Sequence, residues 1–262
     1  MPPSQMEPSQ AGSSQGHAGC AVAPSLNFLL IVLVFALAGL ALALGLVEGA
    51  PAILVFVFSG WLLSLCLHEF GHAFVAWIGG DWSIGQSGYL TLDPLRYVDP
   101  VNSILLPFLF TLLGGIGFPG GAVLINHGAL RSRAWSSAVS AAGPATNVAF
   151  LLFLALAYQL TEAEPLQDAL GALALLQGTA IVLNLLPVPG LDGYWILQPW
   201  LPRGLRDIGD GLAVHSGLVL TGLFLFSRAF GRALFRSGMA IATSVGFDRA
   251  DIIGGFASIR LW

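Results

Sequence analysis

The sequence contains no lysine; its ten basic residues are all arginine. Charge of either sign is scarce, at 9% of 262 residues, where soluble globular domains carry about 25%. That deficit excludes a cytosolic enzyme. With a net charge of −4 and no basic face, no nucleic-acid partner is expected. Only two cysteines occur, Cys20 and Cys66. Two are too few for a disulfide framework, and Cys66 lies in an apolar run where it reads as core packing. What fills the chain instead is apolar: 56% of its residues are hydrophobic and the mean hydropathy is +0.81. A polytopic membrane protein fits this composition, because its solvent is mostly lipid.

Residues 1–26 are rich in Ser, Gln, Gly and Pro without periodicity and read as a disordered tail. The first apolar run begins near Asn27, so no signal peptide is expected at the extreme N-terminus. Apolar runs over 27–47, 52–78, 136–160, 169–186 and 212–230 are each long enough to be read as spans at about 1.5 Å per residue. Tyr89–Leu92 has strand character. Residues 101–117 are apolar but interrupted by Pro107, Gly114 and Gly115, which predicts a re-entrant segment. The expected fold is an all-α polytopic membrane protein of about five or six transmembrane helices, with a re-entrant segment and a short β element. Its membrane domain occupies 27–230. The C-terminal stretch 231–262 carries Arg232, Arg236, Arg249 and Arg260 without a clear placement.

The second apolar run contains Leu67-His68-Glu69-Phe70-Gly71-His72, an HExxH pattern. On a helix turning about 100° per residue, His68 and His72 lie about 40° apart, with Glu69 in the same arc. Two imidazoles can then reach one metal with a carboxylate beside them. Zinc suits such donors and keeps one position for water in catalytic sites. Glu69 would take that water's proton and return it to a leaving amine. Three ionisable groups deep in a run of Val, Leu and Phe need a partner, since one charge at mid-membrane costs roughly 2.5–3.5 kcal/mol. A metal supplies it. The remaining ligand should come from another span, and Asp192 is the candidate, just past a run broken at Pro187, Pro189 and Gly190. Asp192 could equally cap a helix or make a turn with Gly193.

Together these residues resemble the site-2 protease family of intramembrane metalloproteases. That family pairs a membrane-embedded HExxH with NxxPxxxLDG on a later span, here Asn184, Pro187 and Leu191-Asp192-Gly193. Two further stretches, Leu90–Pro100 and Ala142-Gly143-Pro144-Ala145-Thr146-Asn147, look like its compact bacterial branch without a PDZ domain, although Tyr97 stands where that branch often has histidine. The resemblance covers about residues 50–200. It implies one zinc per chain held by His68, His72 and Asp192, with Glu69 catalytic. Asn184 and Asn147 are implied to hold the substrate backbone or the developing oxyanion; each could instead make an interhelical hydrogen bond. The implied partners are the lipid bilayer and a membrane-protein substrate with a transmembrane segment, unwound locally for cleavage. An edge strand at Tyr89–Leu92 could pair with it. The implied location is a bacterial plasma membrane. Arg96, Arg131, Arg133, Arg203 and Arg206 fall on the cytosolic side and the acidic 161–168 loop outside, as the positive-inside rule asks. The rival reading is a non-proteolytic membrane zinc carrier or scaffold. A carrier should spread ionisable groups along a path, and here they gather in one cluster.

Overall fold

A computed structural model of the protein describes residues 23–97 and 123–259. They form eleven α-helices: α1 Leu26–Ala43, α2 Ala50–Gly79, α3 Ile84–Ser87, α4 Pro94–Tyr97, α5 Arg133–Gln159, α6 Glu164–Asn184, α7 Asp192–Leu197, α8 Arg203–Ala213, α9 Ser216–Phe226, α10 Arg228–Ser244 and α11 Arg249–Ser258. Four of these, α1, α2, α5 and α6, are long and apolar enough to cross a membrane. A fifth arises only if α9 and α10, bent by 92° at Ser227, are counted as one broken span. Among the described residues, the unbroken spans therefore number four, against the expected five or six. The predicted re-entrant segment 101–117 lies outside the described residues, as do residues 1–22 of the expected tail.

Local chemistry sets the helix limits. Ser25 begins α1 by accepting the Phe28 amide at 3.1 Å, and Ser132 begins α5 by accepting that of Trp135 at 3.3 Å. Pro51 sits in the first turn of α2, where no intrahelical donor is needed. Helix α6 is buried on every side from Ala169 to Thr179 and is the axis of the bundle. Helices α2, α5, α10 and α11 pack around it. Helix α1 covers α2, with Phe35 stacked on Phe56 at 4.5 Å, and turns a row of leucines outward. In lipid that row costs nothing, because acyl chains are as apolar as leucine.

Two expectations are corrected. Tyr89–Leu92 is no strand: Tyr89–Thr91 is a 3₁₀ turn. Gly88 and Leu92 hold left-handed φ of 82° and 57° at its ends, and Thr91 bonds back to the Gly88 carbonyl through its amide and its hydroxyl, at 3.1 and 2.7 Å. A β-branched residue has no strand preference without a neighbouring strand to pack on, and no strand occurs among the described residues. The run 212–230 is likewise not one helix. It is cut near His215 and again at Ser227, whose hydroxyl accepts the Phe230 amide and starts α10. The unplaced C-terminal stretch folds back on the core: Met239, Ala242, Ile252 and Phe256 are buried in the main apolar cluster.

Candidate metal centre

His68, Glu69 and His72 lie in the second half of α2, on its face toward α5, and all three are buried. The two helices approach closely there. A Cβ at Gly71 would stand 2.9 Å from the Ala142 carbonyl oxygen. A Cβ at Gly143 would stand 2.3 Å from His72 Nε2 and 2.6 Å from His68 Nε2. Gly143 therefore keeps clear the space into which both imidazoles point. Pro144 follows it inside α5 without ending the helix.

Asp192 opens α7 after the chain leaves α6 at Asn184 and turns through Pro187–Gly190. Its carboxylate meets both histidines, with Oδ2 3.2 Å from His68 Nε2 and Oδ1 3.4 Å from His72 Nε2. The two Nε2 atoms are 3.0 Å apart. Tetrahedral zinc with bonds of about 2.0–2.1 Å spaces its ligand atoms about 3.3 Å apart, so the triangle has the size of a zinc site. His72 Nδ1 donates to the Val139 carbonyl at 2.7 Å. That contact fixes the tautomer and leaves the Nε2 lone pair facing the triangle, as an outer partner does for a metal-bound histidine. Asp192 Oδ2 is buried without a hydrogen bond, which a cation would satisfy. Two imidazole nitrogens and a carboxylate converging in a buried space fit zinc in donor type as well.

Glu69 lies beside this triangle, and the main-chain N–H of Val123 faces its carboxylate. Val123 packs on Leu65 and opens a strap that crosses the end of α2. The Asn126 amide donates to Asp81 Oδ2 at 2.7 Å and the Arg131 amide to the Gly79 carbonyl at 3.0 Å. Within the strap His127 stacks on Trp195 at 6.5 Å, one turn past Asp192. Partial burial holds the His127 imidazole below its ordinary 6.5, against the opposing pull of Asp81.

The structure brings His68, His72 and Asp192 together as the cluster able to hold a metal among the described residues. It does not join Asn147 or Asn184 to them by hydrogen bonds. Asn147 is buried one turn beyond Gly143 and takes part in an interhelical group: Ser64 Oγ lies 3.3 Å from Asn147 Oδ1 and 2.7 Å from Gln177 Oε1. Asn184 is the half-buried last residue of α6. Ser64, Gln177 and Val139 are absent from the sequence reading, and Gly143 enters it only within the stretch Ala142–Asn147, with no role of its own. Intramembrane polarity is a signal that could have found Ser64 and Gln177. The Val139 contact is made by the main chain and leaves no mark in residue type.

No family model matches the chain, and no solved structure matches it. Curated relatives do. A protein of Mycobacterium tuberculosis named "Putative zinc metalloprotease Rip2" is 50% identical over 135 residues, 50% of this chain and 51% of the relative. The protein of that name in Mycolicibacterium smegmatis is 43% identical over 169 residues, 63% of this chain and 64% of the relative. "Putative zinc metalloprotease YwhC" of Bacillus subtilis is 32% identical over 145 residues, 52% of this chain and 64% of the relative. The matched part of the chain thus spans between half and two thirds of these relatives.

Proposed function

We propose, from its resemblance to the site-2 protease family and from relatives named as putative zinc metalloproteases, that the chain is a zinc metalloendopeptidase of the membrane. It hydrolyses peptide bonds in or near transmembrane segments of other membrane proteins. The observation that carries this reading is the His68–His72–Asp192 triangle of zinc-ligand dimensions, with a glutamate beside it, inside a bundle of apolar helices.

His68 and His72 from α2 and Asp192 from α7 would hold the metal, one ion per chain. Bound there, zinc would lower the pKa of a water and polarise the scissile carbonyl. Val139 keeps the His72 imidazole in register through Nδ1. Glu69 takes the proton of the attacking water and hands it to the departing amine as the peptide bond breaks. Its buried position lets it do so without competing solvent. Asn184, half-buried at the broken end of α6, holds the substrate main chain in this reading. Asn147 would have to give up its tie to Ser64 to reach substrate, so its role here is to hold α5 against α2. The location we propose is a bacterial plasma membrane, with the chain multi-pass.

The test compares membrane proteomes from cells carrying the active protein with cells carrying Glu69→Gln. Substrates should appear as new termini within or beside predicted spans only with the active protein. Identical sets of termini would oppose proteolysis and favour the carrier or scaffold.

A further inference from the structure

Helix α8 has its polarity inverted for a helix on a water-soluble surface. At about 100° per residue, Leu205, Ile208 and Leu212 fall within an arc of about 60°. They are exposed by 57%, 63% and 55%. Arg203, Arg206, Asp207 and Asp210 fill an arc of about 100° on the opposite side. Part of that polar side is turned into the protein. Asp210 Oδ1 accepts the Tyr194 hydroxyl at 2.7 Å, and Gln198 Nε2 donates to both Asp210 oxygens at 3.2 and 3.1 Å. Arg206 donates to the Pro199 carbonyl at 3.1 Å. Gly209 is pressed on the Tyr194 ring, where a Cβ would stand 2.3 Å from its hydroxyl oxygen. The rest of the polar side, Arg203 and Asp207, is exposed. The helix therefore has three faces, one on protein, one charged and open, one apolar and open.

Its height in the molecule identifies what covers the apolar face. Trp200, just before α8, donates Nε1–H to Ser137 Oγ at 2.9 Å, and Ser137 donates to the Ile196 carbonyl at 2.7 Å. Ser137 lies in the first turns of α5, a helix of 27 residues, about 40 Å long. A hydrocarbon core of about 30 Å leaves about 5 Å, or three to four residues, beyond it at each end. Ser137 thus stands at the edge of the hydrocarbon, and α8 starts level with it. Trp82 and Trp200, both 61% exposed, and Arg131, Arg133 and Arg203 occupy the ends of the same helices, the residue types of a headgroup belt.

We propose that α8 is an in-plane membrane anchor. Leu205, Ile208 and Leu212 lie in the boundary between headgroups and acyl chains, and Arg203 and Asp207 face water. Latched to α7 through Tyr194, Gln198 and Gly209, it ties the height of Asp192 to the bilayer surface. The placement rests on the membrane spans and is independent of proteolysis, so it can be tested without a substrate.

Nitroxide labels at Leu205→Cys, Ile208→Cys, Leu212→Cys and Asp207→Cys, in a Cys20→Ser, Cys66→Ala protein reconstituted in phosphatidylethanolamine–phosphatidylglycerol vesicles, would be read by power saturation. The ratio of oxygen to nickel-chelate accessibility should be several-fold higher at 205, 208 and 212 than at 207. Equal nickel access at all four sites would place the face in water and overturn the proposal. Low access to both reagents at 205, 208 and 212 would mean a protein cover, a second copy included, and would overturn it too. The latch has its own readout in zinc titration of metal-free protein. Asp210→Ala should weaken binding several-fold although Asp210 is no ligand, and Asp210→Asn, which keeps an acceptor, should restore it. Unchanged affinity in Asp210→Ala would overturn the coupling to Asp192.

Discussion

Replacing Gly143 with alanine adds one methyl group where the account places the metal. The new Cβ would stand 2.3 Å from His72 Nε2 and 2.6 Å from both Nε2 and Cε1 of His68, while ordinary contact begins at 3.4 Å. Relief requires the imidazoles or the helix to retreat by roughly 1 Å, and zinc sites tolerate about 0.2 Å in their bond lengths. His72 cannot retreat without leaving the Val139 carbonyl. Losing an outer partner of a metal-bound histidine alone typically weakens binding 10–100-fold, as a central tendency of about that size. Distorted ligands come on top, so zinc should bind at least about 100-fold more weakly, about 2.8 kcal/mol. The fold should survive, since alanine favours a helix over glycine by about 1 kcal/mol. The assay is competition for zinc between metal-free protein in micelles and a chelator of known affinity, with thermal unfolding beside it. Gly60→Ala is the control: its Cβ would crowd Leu173 at 2.5 Å and Phe35 at 2.7 Å, in the apolar core. It should cost about 1–3 kcal/mol of stability and leave zinc affinity alone. Parental zinc affinity in Gly143→Ala would refute the placement of the metal between α2 and α5.

Asp192→Ala and His68→Ala should each lose zinc as well as proteolysis by elemental analysis and cleavage assay; zinc retained at one per chain in Asp192→Ala would remove it from the ligand set. Ser64→Ala leaves Gln177 and Asn147 short of a buried partner and should cost about 1–3 kcal/mol, seen as a lower Tm; an unchanged Tm would show that the group contributes nothing net. For His127, burial favours the neutral ring in the folded chain, so its contribution to stability is present above 6.5 and is lost as pH falls below it. The pH-dependent change in Trp195 fluorescence that is lost in His127→Phe should have a midpoint below 6.5, and a midpoint above it would contradict the burial of the ring.

The candidate metal cluster was legible because its signals are carried by side chains at fixed spacing. His68 and His72 one turn apart, with Glu69 between them in an apolar run, have few other readings. Asp192 needed the family pattern, since an Asp before a Gly also reads as a cap or turn, and it does open a helix. Tyr89–Leu92 misled because strand preference depends on neighbours, and Gly88 closes a turn before any could form. Hydropathy over 212–230 averaged across Ser216 and Ser227, two short polar residues at helix starts. Arg232 and Arg236 hid the apolar face of α10 that Leu234, Met239 and Ala242 bury. Gly143 and the Val139 carbonyl act through absent or main-chain atoms, so only the packing of α5 on α2 reveals them.

The central claim is that the triangle holds zinc and Glu69 moves the proton. Its most direct measurement is cleavage of synthetic single-span peptides in vesicles by protein stripped of metal and titrated with zinc, for the parent chain and Glu69→Gln side by side. Cleavage by the parent should rise with bound zinc and level off at one ion per chain, while Glu69→Gln binds the same zinc and cleaves nothing. Cleavage at full rate by stripped protein, or by Glu69→Gln, would contradict it.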